Sequence, residues 1–205
     1  MALPHIIPID PILMRHAFDD PDWIFEPKFD GYRGVLYIDG NESYFRSKRN
    51  KPLRAFNDLA HKIRKELKVK AAIMDGEITV LDAKTGYSDF KALHSRKGTP
   101  VYMAFDLLWL GQRDLTALPL IERKKKLRSL TRAEGWIRFV QHITGQGQMF
   151  MDQIVAAGLE GMVAKEKKGV YARPTNWMKV LNPNIKEQRH DRAKMFNRYR
   201  GKENA

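Results

Sequence analysis

The stretch EPKFDGYRG, residues 26–34, sets a lysine between an acid–proline pair and an Asp-Gly turn signal, with an arginine two residues past the glycine. A lysine amine attacks an electrophile only after losing its proton, and its ordinary pKa of about 10.4 opposes that at neutral pH. Nearby cations or burial lower that value, whereas a carboxylate raises it. Read as a strand, the segment puts Glu26, Lys28 and Asp30 on one face, since alternate strand residues share a side. Asp30-Gly31 then reads as a hairpin turn returning Arg33 beside them. The expected result is a cluster of two cations and two carboxylates. Locally, two readings stay open: a nucleophilic Lys28, or a charged hairpin on a basic protein.

Four later segments bear on that choice. DGE at 75–77 puts Glu77 inside an apolar strand, where an unpaired carboxylate is costly. AFDLL at 104–108 holds Phe105, with Asp106 beside it read as a local hydrogen-bonding residue. EGMVAK at 160–165 runs from Glu160, at a helix-to-strand junction, to Lys165. WMK at 177–179 places Lys179 in the last strand. Each alone is equally at home as a surface carboxylate, a core aromatic or a solvated lysine; their order along the chain is the stronger signal.

These residues need a scaffold, and the chain reads as one α+β unit. The first 22 residues look irregular. WIFEPKF and RGVLYID read as strands joined through Asp30-Gly31, and DGN at 39–41 turns the chain into a third strand, ESYFRSK. Leu53, Phe56, Leu59, Ala60, Ile63 and Leu67 recur at helical spacing, predicting a helix over roughly 55–68. AAIMDGEITVLD and TPVYMAFDLLWL are rich in strand formers, with a short helix expected at SDFKALHS between them. PLIERKKKLRSL and QMFMDQIVAAGLE read as helices, Gly158 ending the second, and GMVAKEKK and NWMKVLN as the last strands. Runs of strands with inserted helices predict antiparallel sheets. Strict strand–helix alternation and a glycine-rich phosphate loop are both missing, which disfavours a doubly wound fold.

The formal net charge of +13 favours a polyanionic partner, nucleic acid first, through counterion release from phosphates. The absence of cysteine excludes disulfides, thiolate metal sites and thiol catalysis. No apolar run approaches the ~18 residues that cross a bilayer, and the opening MALPHIIPID does not read as a signal peptide, so a cytoplasmic protein with no membrane partner is expected; a monomer is the expected state.

Taken in order, K-x-D-G-x-R, the D-G-E strand, the aromatic-Asp strand, E-G-x-x-x-K and W-x-K resemble the covalent nucleotidyltransferases, which include ATP-dependent DNA ligases, RNA ligases and mRNA capping enzymes. DDPDWIFEPKFDGYRG and FDLLWL are most similar to bacterial ATP-dependent DNA ligases of the end-joining type. The resemblance covers about residues 10–183 and implies the nucleotidyltransferase fold, antiparallel sheets flanked by helices with the ATP site between them. It implies that Lys28 attacks the α-phosphorus of ATP to form lysyl-AMP, which passes AMP to the 5′-phosphate of nicked duplex DNA before the nick is sealed. By the same resemblance Arg33 contacts the nucleotide sugar and later the nick phosphate; Glu26 lies where main-chain groups read adenine; Phe105 stacks on adenine. Glu77 and Glu160 are the implied carboxylates for Mg²⁺ (or Mn²⁺), while Lys165 and Lys179 join the ATP site, Lys179 at the α-phosphate. Lys48 takes the place of an arginine usual in the family, with Arg49 next to it; both are implied DNA contacts, and Lys48 also an ATP contact.

The chain departs from the family at two further points. Leu181 stands where a second lysine usually follows Lys179. An OB-fold domain needs five strands, which the 22 residues after Pro183 do not supply. The expected organisation is an adenylation domain at 1–183 and a basic tail at 184–205, with Lys186, Arg189 and Arg192 among its cations. DNA-repair or end-joining proteins are then candidate partners supplying the missing domain. An RNA ligase or capping enzyme, and a nucleic-acid-binding module of the same fold with impaired turnover, are the alternatives.

Overall fold

A computed structural model describes residues 3–174 and 177–185. Its strands are β1 (Ile12–Met14), β2 (Asp19–Pro27), β3 (Tyr32–Asp39), β4 (Glu42–Ser47), β5 (Ala71–Val80), β6 (Pro100–Leu110), β7 (Arg113–Asp114), β8 (Ile137–Phe139), β9 (Ile143–Gln146), β10 (Gly161–Glu166) and β11 (Trp177–Leu181). Its helices are α1 (Asn57–Leu67), α2 (Phe90–His94), α3 (Leu120–Leu130) and α4 (Gly147–Ala156). One sheet has the order β1-β11-β10-β2-β9 and the other β4-β3-β5-β6-β7, with β8 paired to β6. All these pairings are antiparallel except β1 with β11 and β6 with β8. The expected α+β architecture is therefore present.

Each sheet buries its outer face against helices. Phe25, Met162, Ala164 and Val180 of the first sheet meet Met151 and Ile154 of α4. On the second sheet Leu36, Ile38, Met74 and Tyr102 form one core with Leu59, Ala60 and Ile63 of α1, Leu93 of α2 and Leu127 of α3. Burial of each such side chain contributes about 1.5–3 kcal/mol before entropy is counted. A third cluster lies between the sheets, where Val35, Tyr37 and Ile73 meet Tyr171 and Trp177.

The expected hairpin across Asp30-Gly31 does not form. β2 ends at Pro27 and pairs with β9 and β10, whereas β3 pairs with β4 and β5 in the other sheet. Residues 28–31 are thus a link between sheets, and Glu26, Lys28 and Asp30 do not share a strand face. Gly31 answers a need other than turn formation: a Cβ there would lie 2.0 Å from the carbonyl oxygen of Ile78 in β5. The link must press against β5, and only glycine permits it. Thr79 Oγ1 donates to the Asp30 carbonyl at 2.9 Å on the same strand.

The hairpin at Gly40 is present, with Asp39 opposite Glu42. β1, and the part of β2 before Trp23, lie in the region expected to be irregular. Pro183–Ile185 forms a 3₁₀ turn that buries Ile185, so ordered structure runs past the expected boundary at 183. Lys186, Arg189 and Arg192 lie outside the described residues.

Candidate active site

Strand register brings the chemistry-bearing residues of the first sheet onto one surface. Glu26 is opposite Val163, Val163 opposite Lys179, and Lys165 opposite Trp177. Opposed residues of a sheet point the same way, so all five face the second sheet. There, Arg33 on β3 is opposite Glu77 on β5. Glu26, Lys28, Arg33, Glu77, Phe105 and Lys165 line one cleft, with Trp177 and Val163 among its other walls. Its empty volume is about 490 Å³, the open mouth included.

Lys28 sits in the inter-sheet link at the edge of this cleft, its side chain 27% exposed. Its backbone N–H donates to the Gly161 carbonyl at 2.8 Å. Its amine donates to Glu160 Oε2 at 2.7 Å. The E-G pair opening β10 therefore holds Lys28 at both ends. Gly161 is obligatory for this, because a Cβ there would come within 2.3 Å of the Val180 carbonyl oxygen on β11.

Arg33 reaches across to Asp75, with Nε 2.6 Å from Oδ1, and donates to the Ile9 carbonyl at 3.2 Å. Burial alone would weaken the guanidinium's hold on its proton, but Asp75 overrides that and raises its pKa. Tyr171 O–H donates to the other Asp75 oxygen at 2.6 Å. The Arg33 guanidinium also lies 4.7 Å from the Phe105 ring centroid, so cation and aromatic form one wall. Burial pushes the Glu77 carboxyl up to about 7; Lys28 and Arg33 oppose the rise, and Glu160 and Asp75 add to it.

The cleft floor is a buried carboxylate between two buried amines. Glu26 Oε1 accepts from Lys124 Nζ at 2.5 Å, and Glu26 Oε2 lies 2.6 Å from Lys165 Nζ. Burial would raise the Glu26 pKa, yet Lys124 and Lys165 together hold it below the ordinary value. Lys165 is pushed down to about 8, by burial first, with Glu26 opposing and Lys124 reinforcing. The Lys165 amine also stands 4.2 Å from the Phe105 centroid and 3.9 Å from Trp177.

Three supporting residues were not singled out from the sequence. Lys124 looks like any cation of the run ERKKK, and only the inward face of α3 distinguishes it. Arg123 beside it is fully buried and grips Asp106 through two bonds of 2.8 Å. Asp106 accepts locally from Leu107 N–H, as expected, but it is also the anchor for α3. Asp75 was read only as the first letter of D-G-E. A fully buried acid between apolar residues is the available signal.

Other expected residues lie apart. Lys48 and Arg49 sit in the exposed turn after β4 and not on a strand; Lys48 Nζ pairs with Asp10 Oδ2 at 2.7 Å. Lys179 has the right face but does not line the cleft, and Leu181 follows it opposite Gly161. For a divalent ion, Glu77 and Glu160 are the fitting donors: they interact with each other beside Lys28. Among the described residues no group of three or more such donors forms. Two carboxylates completed by substrate phosphates suit Mg²⁺.

The sequence model of the ATP dependent DNA ligase domain matches residues 10–180. DNA ligase C1 of Mycolicibacterium smegmatis is 30% identical over 197 residues, covering 83% of this chain and 55% of that protein. DNA ligase C of Mycobacterium tuberculosis is 33% identical over 187 residues, covering 80% and 51%. The chain thus spans about half the length of these relatives. Among solved structures, a mycobacterial DNA ligase D complexed with ATP and MES superposes with a TM-score of 0.75 at 26% identity, covering 85% of this chain and 59% of that one. With the match spanning both sheets and every cleft residue, this chain belongs to the ATP-dependent DNA ligase domain family.

Proposed function

We propose that this chain is the adenylation domain of an ATP-dependent DNA ligase, with Lys28 as nucleophile and nicked duplex DNA as final substrate. The observation that carries this is the placement of Lys28 at the edge of a cleft lined by Arg33, Glu77, Phe105 and Lys165. The ammonium of Lys28, 27% exposed, first gives up a proton to solvent, while Glu160, 2.7 Å away, orients the amine. The amine nitrogen then bonds to the α-phosphorus as the bond to the bridging oxygen of pyrophosphate breaks. Lys165 on the cleft wall offsets the charge on the phosphates, Lys179 on the same face of the next strand would join it as the nucleotide enters, and Phe105 supports the base. Glu77 and Glu160 would hold Mg²⁺ or Mn²⁺, whose charge screens the triphosphate and favours a neutral lysine. Reprotonation of the phosphoramidate nitrogen makes the P–N bond labile, so AMP moves to a DNA 5′-phosphate. Attack by the 3′-hydroxyl releases AMP and seals the strand.

Arg33, Lys48 and Arg49 are the proposed DNA contacts, Lys48 with a further role toward ATP. The proposed adenylation unit is residues 1–183 with the turn that follows, acting as a monomer on DNA in the bacterial cytoplasm. Proteins of DNA repair or end joining are the proposed partners. Leu181, an apolar residue beside Lys179, favours a second reading: a nucleic-acid-binding module with impaired turnover.

The test is incubation with α-labelled ATP and Mg²⁺, then denaturation, for wild type and Lys28→Ala. Label is expected on wild type alone, and its transfer to nicked DNA but not nicked RNA. An unlabelled wild type would overturn the enzyme reading; a labelled Lys28→Ala would overturn the site assignment.

A further inference from the structure

The cleft floor holds one more positive charge than its carboxylate needs. Lys124, Lys165 and Glu26 are each at least 98% buried, and two amines share one carboxylate. Burying an uncompensated charge is expensive, so the second amine calls for a reason. The two amines are not equivalent. Lys124 is fully engaged: it donates to Glu26 Oε1, lies 3.1 Å from the Val140 carbonyl oxygen and reaches the Phe105 carbonyl at 3.5 Å. Lys165 has Glu26 Oε2 at 2.6 Å, a contact that takes one of the three protons of its ammonium. It is a buried donor held between the Phe105 and Trp177 rings on a wall of the cleft.

We infer that Lys124, which comes from α3 and lies outside every motif segment of the cleft, is a positioning residue for the nucleotide. By sharing Glu26 it keeps that carboxylate from cancelling the whole charge of Lys165, whose remaining protons are then left to donate to the nucleotide. It also ties the backbone of Phe105 and of Val140 to the floor. Without Lys124, Glu26 and Lys165 form a neutral, self-contained pair. That exchange suits folding, since the buried cluster goes from one excess charge to none, but it withdraws a donor from the ligand. Function and stability therefore part company at this residue, which a merely structural role would not produce.

The inference rests on the proposed ATP reading, and the experiment separates the two. Lysyl-AMP formation is measured against ATP concentration for wild type, Lys124→Met, Lys165→Met and the double variant, alongside the fraction of molecules that can be labelled. Lys124→Met should raise KM for ATP by roughly tenfold or more, the order expected for a lost buried charged hydrogen bond. Its kcat should stay within about threefold of wild type. The double variant should be no worse than Lys165→Met alone, because both act through one amine. An unchanged KM, a loss confined to kcat or to the labelled fraction, or additive effects in the double variant would each overturn the inference. Should Lys124→Met not fold, Lys124→Gln carries the same test, since its amide still donates to the floor without charge. Failure of wild type to take any label would refute the ATP reading itself, before the variants are compared.

Discussion

Asp106 and Glu77 show opposite ways of taking a carboxylate out of water, the first fully buried and the second partly so. Asp106 is fully matched by Arg123, so removing one partner strands a buried charge. Arg123→Ala should cost about 3–5 kcal/mol, measured by urea unfolding, whereas a loss below about 1 kcal/mol would show that the pair behaves as a surface bridge. Glu77 has no such match, and burial raises its carboxyl from an ordinary 4.5 to about 7. Between those values the unfolded chain has lost its proton while the folded one keeps it. The folded state then binds more protons, so stability falls as pH rises from 4.5 to 7. The contribution is complete below 4.5 and gone above 7. Glu77→Gln should remove a loss on the order of 2 kcal/mol across that window. Parallel stability–pH curves for the two proteins would contradict the assignment. Above pH 7 the ionised Glu77 is the form that its proposed metal role needs, so the ionisation that costs stability is the one that role calls for.

At the scale of elements, the site depends on a link that crosses from one sheet to the other. Gly31 lets that link lie on β5, and the Gly161 carbonyl fixes the Lys28 backbone. Gly31→Ala would drive a methyl group into the Ile78 carbonyl, and the nearest relief is to lift the segment carrying Lys28. The expected result is about 1–3 kcal/mol of destabilisation, with lysine labelling by ATP slowed further than the unfolded fraction explains. Labelling that tracks the folded fraction would show the link to be slack. This is also where the sequence was least legible. Asp-Gly after an aromatic run reads as a hairpin by composition, but nothing local reveals that β2 and β3 belong to different sheets, because strand pairing is decided by partners far along the chain. The reverse holds for Glu160, Lys165 and Glu77, whose order along the chain marked them and whose geometry joins them to Lys28. Lys124 and Arg123 escaped notice because charge on a helix ordinarily faces water, and their helix carries basic residues on every side. The short strands β1, β7, β8 and β9 hold too few residues to show alternation.

For the whole molecule, a net charge of +13 overstates the charge offered to DNA. Arg123 and Lys124 are themselves buried against buried acids, where no phosphate backbone reaches them. The exposed turn after β4 is different. Arg49 stands open to solvent there, while Lys48 is held by Asp10 in an exposed pair. Phosphate binding releases counterions, so log affinity should fall linearly with log salt, by a slope of roughly −0.9 per phosphate neutralised. Arg49→Ala should make that slope shallower by about one. Asp10→Asn should act in the opposite direction, because it frees Lys48 from its partner and leaves another cation for the backbone. Binding isotherms on nicked duplexes of unrelated sequence, across a salt series, measure both. The slopes should be alike for every duplex, since phosphate contacts carry no sequence information. A slope unchanged by both substitutions would place the DNA on another face, and affinity that varies with duplex sequence would contradict a backbone-reading surface.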